Sequence, residues 1–380
     1  MPVLPPELEA YIIVNHVEDR ASLRACALVC SRLCYWAQSR LFAAITTYFD
    51  WGCKLSWAQR AKRLIGILDK SPHLLLHVRS LVVMECSPAL LVVLATQAWK
   101  ALDSLELQMI PHPSEEVVLN MERLISGPPL QALRLEFDDE SWNSLYFSRI
   151  LAHCSATLAN LDISNCSGST NDPPLPLPST VNTGVRRAHI QRLRLIGSSA
   201  AVAALDADIL PLDFTHLHEV VYSESPHPSL HSLLRRSKAH LSLKVDPKDP
   251  TLTSFDFSLP MLHTLECAFT ASTAWNIIPR IPHTNCLTTL TLTTSISEWD
   301  EFPYPHQNIG EQLDNQLVEH FHCLRVVRVE VKPPNTQFRT PFFEEEITTT
   351  ELILAIQQAL PKLTNAGMVS IIFHGWFSSA

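Results

Sequence analysis

Leu158-Ala159-Asn160-Leu161-Asp162-Ile163-Ser164-Asn165-Cys166 sets apolar residues at its first, fourth and sixth positions and closes on Asn-Cys. Leu161 and Ile163 alternate with polar neighbours, the period of a short strand with one buried face. The same spacing recurs upstream at Val78-Leu81-Val83, Leu102-Leu105-Leu107 and Leu130-Leu133-Leu135. Downstream it recurs at Ile190-Leu193-Leu195, Leu217-Val220-Tyr222, Leu262-Leu265-Cys267, Leu287-Leu290-Leu292 and Leu324-Val327-Val329. A weaker unit sits at Leu241-Leu243-Val245. The starts are mostly ~24–32 residues apart. Residues 115–125, 144–154 and 228–236 between them carry helical periodicity.

This unit resembles the leucine-rich repeat, most cleanly at residues 158–166, where the match runs through Cys166. Most other units lack the Asn that ladders along the turn in that family, so the array is irregular. The resemblance implies an α/β fold over residues 78–380: a solenoid with parallel strands on its concave face and helices outside. An ordinary α/β domain with parallel strands is the plainer alternative. Residues 167–184, rich in Pro, Ser and Thr, and residues 295–310 read as loop insertions. Residues 348–360 read as a last helix, and residues 368–373 as a closing strand that suits an end cap.

In a repeat of this kind, side chains alternating with the buried ones face the concavity. Glu106, Arg134, Asp162, Arg192, Arg194, Glu266 and Arg328 fall there and are the candidate substrate-binding residues. Their mixed signs suit a protein surface better than a polyanion.

The chain opens differently. Residues 4–45 read LPPELEAYIIVNHVEDRASLRACALVCSRLCYWAQSRLFAAI, three short helical patterns in succession. Leu8, Ile12 and Ile13 share one helical face, with Pro5-Pro6 suited to its first turn. Asp19 is placed to cap a second helix bearing Leu23, Cys26, Ala27 and Cys30. Ser31 is placed to cap a third bearing Leu33, Trp36, Ala37 and Leu41. About forty residues bury too little apolar surface to stand alone. Leu4, Ile12, Ile13, Leu28, Val29 and Leu33 therefore need the rest of the chain or a partner to cover them.

This stretch resembles the F-box, most closely that of the large fungal F-box families. The matching features are Leu4-Pro5-x-Glu7-Leu8, the Ile12-Ile13 pair, Asp19-Arg20-x-x-Leu23-Arg24-x-Cys26-x-Leu28-Val29-Cys30 and Leu41-Phe42-x-x-Ile45. The family's usual Trp after the Val-Cys pair is replaced by Leu33, with Trp36 one turn later. The resemblance implies a three-helix F-box at residues 1–46 and docking on the Skp-type adaptor of a cullin–RING ubiquitin ligase. Leu4, Pro5, Leu8, Ile12, Ile13, Leu23, Leu28, Val29, Cys30 and Leu33 would form or support the adaptor-facing surface. Residues 47–77, with Leu55, Ala58, Ala61, Leu64, Ile65 and Leu68 on one stripe, form a helical connector broken at Ser71-Pro72. The repeat array would bind the protein to be ubiquitinated. The alternatives are a helical cap on the domain behind it, or a non-ligase leucine-rich-repeat scaffold.

Composition narrows the classes. The 380 residues are 46% hydrophobic and 18% charged, enough for a sizeable core. A formal charge of −9 leaves no basic footprint for nucleic acid. No secretory pattern is evident, and the longest purely apolar run, residues 89–95, is far short of the ~20 a membrane span needs. Ten scattered cysteines read as reduced thiols, pointing to the cytoplasm or nucleus. Cys26, Cys30 and Cys34, four residues apart, could line one helix, though small apolar packing is the common use of such residues. His73 and His77 read as surface or capping groups, and Glu344-Glu345-Glu346 as a solvated face. No Gly-rich phosphate loop, His-Glu-x-x-His or Gly-x-Ser-x-Gly pattern occurs, so no cofactor, metal or catalytic set is expected. A receptor subunit without its own chemistry fits that expectation.

Overall fold

The computed structural model describes residues 4–47, 57–138, 141–166, 187–206, 210–223, 228–238, 241–245, 259, 261–268, 281, 286–295, 307–332 and 349–374. The loop expected over 167–184 lies outside them, as do residues 296–306 of the second expected loop and the acidic run at 344–346. Residues 307–310, assigned to that second loop from sequence, instead open a helix. The chain divides into two compact units, Met1–Ile190 with Gly197–Asp213, and Gln191–Ile196 with Phe214–Ala380.

The first unit begins with α1 (Pro6–His16), α2 (Arg20–Val29) and α3 (Ser31–Leu41). Pro6 occupies the first turn of α1, where its missing N–H is not needed. Asp19 caps α2 by accepting the Ser22 N–H at 2.7 Å, and that bond holds its carboxyl below the usual range. Ser31 does not cap α3. Cys30 takes the cap position with extended backbone and makes no side-chain bond there. The same break separates Cys26, Cys30 and Cys34 onto two helices and their junction, so they do not line one helix.

Strand β1 (Ala44–Thr46) follows α3 directly and pairs in parallel with β2 (Ser80–Val83), Ile45 lying opposite Leu81. The sheet thus starts inside the stretch read from sequence as purely helical. Between these strands lie α4 (Trp57–Lys70) and a 3-10 turn at Pro72–Leu76. Helix α4 buries Ala61 and Leu68 on its expected stripe and stops before Ser71-Pro72, as proline dictates. His77 is buried rather than superficial: its ring meets Tyr35 of α3 edge-on at 4.9 Å, and burial lowers its pKa.

Then come α5 (Pro88–Thr96), β3 (Ser104–Ile110), α6 (Glu115–Ser126), β4 (Ala132–Phe137), α7 (Ser144–Leu151) and β5 (Asn160–Ser164). Strands β1 to β5 are parallel and adjacent in chain order. Leu81, Leu105, Leu133 and Leu161 stand opposite one another, as do Val83, Leu107, Leu135 and Ile163. All eight are buried. Each such side chain contributes about 1.5–3 kcal/mol relative to exposure. The entries repeat as well. The carbonyls of Ala43, Arg79, Asp103 and Gln131 each accept two successive N–H groups from the next strand's start.

Strand exits repeat too. Glu85, Met109 and Asn165 have positive φ, each ahead of a buried Cys86, Ile110 or Cys166. Gly197, at φ 58°, stands ahead of the buried Ser198. The left-handed residue turns the chain so that the next side chain enters the core. A second parallel pair joins β6 (Ala188–His189) to β8 (Leu212–Asp213), with α8 (Ser199–Asp206) between them in sequence.

Helices α6 and α7 are tied by Arg149. Its guanidinium donates to both Glu115 oxygens at 2.8 and 2.9 Å and to Glu122 at 2.8 Å. The hydrogen bonds and charge of Arg149 hold the Glu115 carboxyl below its usual range. A carboxyl lowered by folding stabilises above its unfolded pKa and loses that contribution as pH falls through the folded one. Arg149→Met is therefore expected to lower the urea midpoint at pH 7. The difference from the parent chain should shrink progressively below pH 4.5, the carboxyl's ordinary value. A difference independent of pH would show that packing, not the ion pair, is what the substitution removes.

The second unit comprises β7 (Arg192–Ile196), β9 (Glu219–Ser223), β10 (Leu241–Val245), β11 (Leu262–Ala268), β12 (Thr289–Ser295), β13 (Val326–Lys332) and β14 (Val369–Phe373). All pair in parallel in that order. One apolar row runs Leu193, Val220, Leu243, Leu265, Leu290, Val327, Val369 across the seven strands. The weak unit at Leu241 is a full member of this ladder. Helices α9 (Pro228–Arg235), α10 (Gln307–His320), α11 (Thr349–Ala359) and α12 (Pro361–Asn365) complete the described part. Asp314 of α10 is fully buried, and its carboxylate accepts the first N–H groups of α12, from Lys362 and Leu363. It does the work of an N-cap from a different helix.

Candidate docking and recognition surfaces

Two surfaces carry the residues singled out from sequence. The first comprises the exposed sides of α1 and α2. Inside, Ile13, Leu23 and Ala37 form a small buried core, with Val17, Cys26, Ala27, Leu33, Trp36 and Leu41 packed against it. Outside, Leu4, Leu8 and Ile12, four residues apart, are 51%, 49% and 42% exposed, and Leu28 and Val29 are 88% and 70% exposed. Pro5 and Cys30 are exposed beside them. The ten expected residues therefore divide. Leu4, Pro5, Leu8, Ile12, Leu28, Val29 and Cys30 lie on the surface. Ile13, Leu23 and the half-buried Leu33 sit beneath it and hold the helices together.

Tyr11, 56% exposed, was missed by sequence reasoning. It lies on the same arc of α1 as Leu8 and Ile12, because positions three and four apart share a helix face. That spacing was the signal that could have found it. Its ring stands edge-on to His16 at 5.2 Å.

The second surface is the strand face opposite the buried ladder. In the first unit, Glu106, Arg134 and Asp162 occupy one register row of β3, β4 and β5. Arg134 sits among three carboxylates: Glu106 at 3.0 Å, Asp162 at 3.5 Å and Glu136 at 3.6 Å. Glu136, two residues along β4, is a partner that sequence reading did not select. All four side chains are half-buried. In the second unit, Arg194, Glu266 and Arg328 share a row with Lys244. Glu266 is bonded to Lys244, and Arg192 pairs with Glu219 at 3.0 Å. Much of the charge on both faces is matched by its neighbours, which lowers its net field.

Burial pushes Cys86 and Cys267 up to about 12, so they stay protonated and unreactive. Among the described residues, no three His, Cys, Asp or Glu side chains converge to hold a metal ion. No described helix is long and apolar enough to cross a membrane.

Strands in register, buried leucine ladders and intervening helices give each unit leucine-rich-repeat character. No family model matches the chain, and no curated protein does. Among solved structures it is similar to the leucine-rich repeat-containing protein LegL7 from Legionella pneumophila. The two are 14% identical, with 87% of this chain and 89% of that one covered at a TM-score of 0.38. The repeat character of this chain rests on its own register.

Proposed function

We propose that the chain is the substrate-recognition subunit of an SCF-type (Skp adaptor–cullin–F-box) E3 ubiquitin ligase, working in the cytoplasm or nucleus. Residues 1–46 act as the F-box and dock on a Skp-type adaptor. Residues 47–77 connect that module to the repeat array, whose strand faces hold the protein to be modified. The chain itself supplies no catalytic step, and the ubiquitin chemistry belongs to other subunits.

The observation that carries this reading is the two-sided character of the N-terminal helices. Their inner face closes over Ile13, Leu23 and Ala37, while Leu8, Ile12, Leu28 and Val29 stay exposed. Large apolar side chains grouped on an outer surface mark an interaction site. A standard interface removes roughly 1,600 Å² from water in total, with a few apolar or aromatic anchors carrying the affinity.

The test is co-expression of the full chain with a Skp-type adaptor and a cullin, followed by affinity purification of the chain. Retention of both partners in stoichiometric amounts is expected. Retention of the adaptor without the cullin would favour a non-ligase scaffold. Loss of both from a folded chain would leave a repeat-array binding protein with a helical cap.

A further inference from the structure

We infer that the Glu9–Arg32 ion pair is a latch that fixes the exposed apolar ends of α1 and α2 into one docking face. The inference rests on the adaptor-docking reading and names the residues that position that face. Helix α1 has one buried residue, Ile13, in its second half. Its first half, which carries Leu8, has no buried residue of its own. There Glu9 is held by Arg32. The Nη2 of Arg32 donates to Oε1 at 2.7 Å, and its Nε lies 2.7 Å from Oε2. The pair therefore consists of one charge-assisted hydrogen bond and a close charge contact, Oε2 itself accepting no hydrogen bond, and it holds the start of α3 at a fixed distance from α1.

The placement gives this bond its leverage. Arg32 is the second residue of α3, three residues after Val29, and Glu9 adjoins Leu8. Helices α1 and α2 each pack on α3. The latch joins the α2–α3 corner, with its exposed Leu28 and Val29, to the half of α1 that the core leaves unfastened. Without it, the Leu8 end of α1 can swing while Ile13 stays seated. A partner must then reorder that half on binding, which weakens affinity without altering any contact residue.

The test uses the full chain with Glu9→Gln, Arg32→Leu, Arg32→Lys, the Glu9→Gln/Arg32→Leu double variant and the exchange Glu9→Arg/Arg32→Glu. The first readout needs no partner: hydrogen exchange of the amides of residues 8–16 against those of residues 104–137. Each single neutralisation is expected to speed exchange in α1 by about fivefold, the ceiling for one exposed ion pair, and to leave β3 and β4 unchanged. The second readout is the dissociation constant for purified Skp-type adaptor, expected to rise by about the same factor. The double variant should be no worse than either single one, Arg32→Lys, which keeps the charge, should retain more binding than Arg32→Leu, and the exchange should restore binding. Unchanged exchange in α1, or additive losses in the double variant, would overturn the latch. If the parent chain does not bind the adaptor while α1 still loosens as described, the docking reading fails and the latch stands.

Discussion

If residues 1–46 dock on a Skp-type adaptor as proposed, a chain carrying Leu8→Asp and Ile12→Asp is expected to lose the co-expressed adaptor while melting at the temperature of the parent chain. Both residues lie on the exposed arc of α1, and neither belongs to the Ile13–Leu23–Ala37 core. Placing carboxylates there therefore costs the fold little, since surface substitutions usually stay within about 0.5 kcal/mol. In a docked state the same carboxylates would be buried against apolar surface, where an unpaired charge is strongly unfavourable. Two apolar anchors at about 2 kcal/mol each already amount to roughly a thousandfold loss of affinity. The informative comparison is Ile13→Asp. That residue is buried, so its substitution should lower the melting temperature as well as binding. Persistent adaptor binding by the Leu8→Asp/Ile12→Asp chain would place the docking surface elsewhere. Deleting residues 1–46 is a poorer probe, because it also removes β1 and leaves the edge of β2 unpaired.

Trp142→Ala is expected to be the most damaging single truncation in the first unit. Its side chain is fully buried, with ring centroids 4.6 Å from Phe137 and 6.0 Å from Phe147, and its Nε1–H donates to the Pro111 carbonyl at 3.1 Å. Phe137 and Phe147 are themselves 5.0 Å apart, so the three rings form one closed cluster between β4 and α7. Aromatic-to-alanine changes at such sites cost about 3–5 kcal/mol through lost transfer energy and the cavity left behind. The orphaned carbonyl adds about 1–2 kcal/mol if water cannot reach it. Urea unfolding followed by far-ultraviolet circular dichroism checks this: the midpoint should fall sharply. Trp142→Phe should recover most of the packing and leave only the hydrogen bond missing. A midpoint shift equivalent to less than about 1 kcal/mol would mean that the cluster collapses freely around the gap, contrary to close packing.

The strands were legible because their signal is local and repeated. Leu133, Leu135 and their counterparts announce a buried face by alternation, and the interval between units announces the stacking. What escaped was short or ambiguous. The three residues Ala44–Thr46 are too few for a period, so β1 could be seen only once β2 lay beside it. Cys30 and Ser31 both suit a helix boundary, and the backbone break at Cys30 decided between them. His77 carries a polar side chain in an apolar run, and Tyr35, forty-two positions away in the chain, determined that it is buried.

The candidate surfaces divide along the same line. The sequence by itself determined which residues alternate into the core, which stand on the opposite strand face, and that the first helices carry more apolar residues than they can bury. Those properties follow from period and composition, which are local. Only the tertiary structure decided that Ile13 and Leu23 are buried while Leu28 and Val29 are exposed. Only it set Arg134 among Glu106, Glu136 and Asp162, buried the Asp314 carboxylate against the start of α12, and brought Glu9 to Arg32. Each of these depends on side chains from separate segments meeting at hydrogen-bonding or van der Waals distance. No periodicity within one segment encodes that distance.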